Sequence, residues 1–153
     1  MRNRSVFALF VLASLVLTTT SAVACSCIGP GSPLEELAER DAVFSGRVLA
    51  ITMVNEYDLQ AHVMVYSSWK GSPSGVIAVQ TSIESSMCGY FFEVGGEYLI
   101  YANDITDSDA LWTDNCQRTN RLSLADSDLT ELGSPSVVSA QDLEWGMLKS
   151  SYR

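Results

Sequence analysis

The sequence predicts a mainly β domain: a five-stranded Greek-key barrel of the OB type, with short flanking helices and two disulfides. Three observations carry that expectation. Five strand-like stretches follow one another through the middle of the chain, helical patterns lie only towards its ends, and four cysteines occur behind an export leader. A β-sandwich is the competing architecture, but it ordinarily needs about seven strands.

Along the chain, residues 1–24 read as a signal peptide. Arg2 and Arg4 form a positive n-region, residues 6–17 an apolar h-region, and Ala22-Val23-Ala24 a small-residue cleavage site. The apolar run is shorter than the roughly 20 residues of a membrane-spanning helix. Cleavage after Ala24 makes Cys25 the first residue of one domain, 25–153, which no linker or repeat divides. Such a product is secreted or extracytoplasmic. Two other readings of this end stay open: an uncleaved anchor, and a lipid on Cys25, which Ala22 in place of the usual leucine disfavours.

Behind the Gly29-Pro30-Gly31 turn, Ser32-Pro33-Leu34-Glu35 has the capping-box pattern with proline at the first helical position, and opens a short helix through Arg40. Strand patterns then occupy residues 42–52, 61–69, 76–81 and 98–102, with a shorter piece at 111–113. Turn chemistry separates them: a polar stretch at 55–58, Lys70-Gly71-Ser72-Pro73, Gly95-Gly96, and an acidic loop at 103–109. Residues 123–132 read as helical and stop at Gly133 before Pro135, and 139–148 read as a last helix.

Loss of Arg2 and Arg4 with the leader leaves 7 of the 9 Lys+Arg against 18 Asp+Glu, a net charge of −11. A surface of that sign repels phosphates. The remaining basic residues are scattered, with only Arg118 and Arg121 close in sequence, so nucleic-acid binding is excluded.

Four cysteines, Cys25, Cys27, Cys88 and Cys116, in an exported chain read as two disulfides, each contributing roughly 2–4 kcal/mol by restricting the unfolded chain. A metal site is the competing reading, though no second Cys-X-Cys or histidine cluster completes one. Of the three pairings, a Cys25 to Cys27 bridge is the poorest, because neighbours two apart in an extended chain strain the geometry. Both N-terminal cysteines are therefore expected to reach across the fold and to hold a chain end that would otherwise fray.

The remaining polar residues do not assemble an enzyme. His62, the single histidine, alternates with Met64 and Tyr66 on a strand face, and no Gly-X-Ser-X-Gly elbow is present. Asp104, Asp107, Asp109 and Asp114 lack the spacing and closing glutamate of a calcium loop and read as a solvated loop. Trp69, Trp112 and Trp145 read as packing residues.

Four stretches in order carry a family resemblance: Cys25-Ser26-Cys27; Asp41-Ala42-Val43-Phe44-Ser45-Gly46-Arg47-Val48; Trp69-Lys70-Gly71; and Ser86-Met87-Cys88-Gly89 followed by Val94-Gly95-Gly96-Glu97-Tyr98-Leu99-Ile100. Cys116 and Asp128-Leu129 follow in step. Over residues 25–135 the chain resembles the N-terminal inhibitory domain of the tissue inhibitors of metalloproteinases. It departs from that pattern in having no cysteine at Ala38, Glu39 or Arg40 for a further disulfide, and in carrying its proline as Pro30, behind Gly29.

The resemblance implies the OB-type barrel, disulfides Cys25–Cys88 and Cys27–Cys116, and an inhibitory wedge of Cys25, Ser26, Cys27 and Ile28 beside Ser85, Ser86 and Met87. It implies a partner, a zinc metalloprotease, whose catalytic zinc takes the main-chain amine and carbonyl of Cys25 while the Ser26 side chain points into the adjoining substrate pocket. The chain needs no cofactor of its own. A non-inhibitory binding module on the same barrel, anchored by a lipid at Cys25, is the alternative, since a fold does not by itself assign a function.

Overall fold

The structure, a computed structural model, describes residues 25–71 and 73–138. The leader, the helix expected at 139–148 and Trp145 lie outside the described residues.

Helix α1, Pro33–Glu39, forms where the capping box placed it: Glu35 N–H donates to Ser32 Oγ, and the Glu35 carboxylate accepts from Ser32 N–H. Among the described residues seven strands follow: β1 Ala42–Met53, β2 Asp58–Lys70, β3 Val76–Ser82, β4 Glu97–Asp104, β5 Leu111–Trp112, β6 Asn120–Arg121 and β7 Val137–Val138, with helix α2, Asp126–Leu132, before the last. The region expected as one helix over 123–132 is split. A 3-10 turn, Leu122–Leu124, stops at Ala125, whose backbone is not helical, and α2 starts after it.

Five strands close a ring in the order β1-β2-β3-β5-β4 and back to β1. All the pairings in the ring are antiparallel except β3 with β5. This is the predicted OB-type barrel, and closure leaves no open edge along the ring. The two additional strands are two residues long each, β6 against β4 and β7 against β2. They do not make a second sheet, so the sandwich is excluded.

Strand alternation sends side chains to two cores. Phe44, Val48, Val63, Val79, Tyr98 and Ile100 fill the barrel. The intervening residues Val43, Leu99 and Tyr101 face outward, yet they are fully buried because Leu37 of α1, Ala125, and Leu129 and Leu132 of α2 cover them. The first half of β1 and most of β4 are therefore buried on both faces, with α1 and α2 packed over the outer one.

β1 meets β2 with register shifts at Val43/Phe44, Ser45/Gly46 and Val48/Ala50. At Gly46 a Cβ would lie 2.5 Å from the Met64 carbonyl oxygen and 2.6 Å from Val63 Cγ1. Gly46→Ala is expected to cost about 2–3 kcal/mol by overpacking this central pairing, read as a lowered midpoint in urea unfolding. An unchanged midpoint would show that the strands part freely there.

Candidate functional site

The N-terminal segment, residues 25–31, crosses one end of the barrel, and two disulfides join it to the body. Cys25 pairs with Cys88 across 63 residues and Cys27 with Cys116 across 89, each with Cα atoms 5.1 Å apart. The four sulfurs lie within 4.8 Å of one another, and none is a free thiol. That removes the competing metal reading, because a ligating cysteine must be a thiolate.

The partners of these cysteines sit on two rigid loops. Ser85–Met87 is a 3-10 turn in which Met87 and Gly89 N–H both donate to the Glu84 carbonyl. Cys88 itself takes a left-handed backbone with φ 60°, a conformation that a non-glycine residue holds only when its surroundings enforce it. The enforcement is visible. A Cβ on Gly89 would lie 1.9 Å from the Ser82 carbonyl oxygen, and Tyr90 N–H donates to Thr81 Oγ1 at 2.8 Å, so the chain passes hard against β3.

Asn115 joins this loop to the one bearing Cys116. Its Nδ2 donates to the Gly89 carbonyl at 2.6 Å and its backbone N–H to the Cys88 carbonyl at 2.8 Å. Asp114 accepts from Cys116 N–H at 2.8 Å, an Asx-type contact that fixes the second loop. Asp114 therefore supports a disulfide and does not belong with the solvated acids of the loop before it. The Asp-Asn-Cys run was a readable turn signal that points to this role; the reach of Asn115 to Gly89 had no signal.

Beyond the disulfides the segment is exposed. Ser26 stands clear of the body, Ile28 is 96% exposed, and a Cβ on Gly29 would meet nothing within 4 Å. Ser86 and Met87 are exposed beside Cys88. The seven residues read as a wedge are thus brought together by the Cys25–Cys88 bridge, four on the segment and three on the turn. His62 is elsewhere, on β2, where its Nε2 lies 3.2 Å from Thr52 Oγ1. Trp69 donates to the Gly133 carbonyl at 2.8 Å and Trp112 to Asp114 at 3.4 Å, as suits packing residues.

A charged network missed in the sequence lies behind the segment. Arg118 grips Asp128 through Nε at 2.8 Å and Nη2 at 2.6 Å, while its Nη1 donates to the Gly31 carbonyl at 2.8 Å. Tyr101, fully buried, donates to Asp128 at 3.0 Å. Burial raises the Asp128 carboxyl, but the bonds from Arg118 and Tyr101, with the guanidinium charge, outweigh it and hold its pKa below the ordinary value. Burial and the Asp128 charge push the Tyr101 phenol up.

The sequence model of the family described as tissue inhibitor of metalloproteinase matches residues 23–127, more than half of the chain, from just before Cys25 into the start of α2. The chain belongs to the tissue inhibitor of metalloproteinase family. Members of this family are inhibitors of metalloproteinases and not enzymes. The tissue inhibitor match takes in both disulfides and the 3-10 turn; Asp128, the anchor of Arg118, falls one residue beyond it. Among curated proteins none matches the chain. Among the described residues no helix is long and apolar enough to cross a membrane.

Proposed function

We propose that this tissue inhibitor is a secreted inhibitor of zinc metalloproteases that acts by main-chain chelation from Cys25. The observation that supports it is the crosslinking of both Cys25 and Cys27 to rigid loops, which holds an exposed chain end in one shape. Catalytic zinc keeps three protein ligands and one open position that water fills. After cleavage behind Ala24, the Cys25 amine and carbonyl oxygen would take that position together and displace the water. Ser26 would enter the adjoining pocket, with Ile28, Ser86 and Met87 against its walls. Because the shape is set before contact, little conformational freedom is lost on binding.

The test is N-terminal analysis and non-reducing intact mass of the exported protein, followed by its titration against a panel of zinc metalloproteases. A free Cys25 with both disulfides formed, and saturable inhibition of at least one protease, is the expected result. A start upstream of Cys25, an acylated Cys25, or a correctly processed protein that leaves every protease active would overturn the chelating mechanism.

A further inference from the structure

Between its crosslinked tip and α1, the segment has no packing to set its direction. Residues 28–30 are exposed, and beneath the segment lies a groove of about 490 Å³ lined by Pro30, Glu36, Arg40, Trp112 and Gln117. With Cys25 and Cys27 crosslinked, the course of residues 28–30 depends on what holds its root, Gly31, and Gly31 is held on both sides of its backbone. Its N–H donates to Glu36 Oε1 at 3.1 Å, and Glu36, 4% exposed, is held by Arg40 Nε at 2.8 Å. Its carbonyl accepts from Arg118 Nη1, and Arg118 is held in turn by Asp128.

The geometry points to a two-sided clamp: Arg118 and Glu36 are positioning residues for the inhibitory tip, gripping Gly31 so that residues 28–30 run from α1 to the crosslinked tip along one path. Each acts on Gly31 from a side chain already locked by an ion pair, so neither spends its own freedom in the grip. The bond from Arg118 spans 87 residues of sequence and ties the segment to α2 as well as to the barrel. The positioning role rests on the chelating function proposed above; the clamp itself does not.

Arg118→Lys separates the grip from the fold. Lysine keeps a cation beside Asp128, but one ammonium cannot make the two-pronged contact and also reach the Gly31 carbonyl. Glu36→Leu removes the acceptor on the other side. In the free protein, amide hydrogen exchange at Gly31 is expected to accelerate on the order of tenfold in Glu36→Leu, which removes the acceptor of that N–H, and by a smaller factor in Arg118→Lys, which frees the Gly31 carbonyl and loosens the same residue, relative to amides of β1 and β4 in the same sample. General destabilisation would move the strand amides too, which separates it from release of the clamp. Against a protease that the wild type inhibits, the inhibition constant is expected to rise by a similar factor.

Exchange that stays at the wild-type rate in both variants overturns the clamp. Faster exchange with an unchanged inhibition constant overturns the positioning role. Should the wild type inhibit no protease, the chelating function fails, while the exchange result still decides the clamp.

Discussion

One alanine added ahead of Cys25 is expected to weaken inhibition by about a thousandfold or more, roughly 4 kcal/mol at 1.4 kcal/mol per tenfold, with the fold unchanged. The extension turns the Cys25 amine into an amide, whose nitrogen has no lone pair free for a metal, and it puts bulk where the chelating atoms must meet the zinc. Neither disulfide nor any barrel contact includes the added residue, so thermal stability and non-reducing mass, apart from the alanine, should match the parent. Inhibition that survives the extension would show that the wedge works by contact alone. Acetylation of the Cys25 amine checks the same point without bulk on the scale of a residue.

Asp128→Asn is expected to cost about 3 kcal/mol of stability at neutral pH, on the order of 10 °C in midpoint for a domain of this size. The substitution preserves shape but removes the charge that Arg118 and the buried Tyr101 hydroxyl both address. Removing one partner leaves the others desolvated without return, which costs more than the pair contributes net. The pH dependence has a definite sign. Asp128 has a folded pKa below its ordinary 3.8, so its contribution is complete above that value and is lost as pH falls through the lower folded value. Unfolding curves of parent and variant should stand furthest apart at neutral pH and converge in strong acid. A gap independent of pH would assign the loss to packing instead of charge.

The two expected losses fall on features that were unequally readable. Cys25, Cys27, Cys88 and Cys116 declare themselves by residue type, and the capping box at Ser32 and Glu35 is a four-residue pattern whose bonds form locally. The period-two alternation of β1 to β4 is likewise local, and it located those strands to within about three residues. Arg118 and Asp128 carried no such signal. They are ten residues apart and separated by the 3-10 turn, and although Asp128-Leu129 is part of the family resemblance, nothing in the local pattern pairs Asp128 with Arg118. The two-residue strands β5, β6 and β7 were legible only in part, because a pair of residues has no period and pairs only where a partner edge is already in place.

What the sequence alone determined is what short-range energetics settle: a disulfide-bonded, mainly β domain of acidic surface, and the order of its longer strands. The ring closure through β3–β5 and β1–β4, the Asn115 bridge between the cysteine loops and the double grip on Gly31 were decided by the tertiary structure. Apart from the Glu36 side of that grip, which is local, these contacts join groups far apart in the chain, up to 87 residues between Arg118 and Gly31. Such a contact gains nothing until the loop between its partners has closed, and closure depends on the whole barrel and leaves no mark on either residue's neighbours.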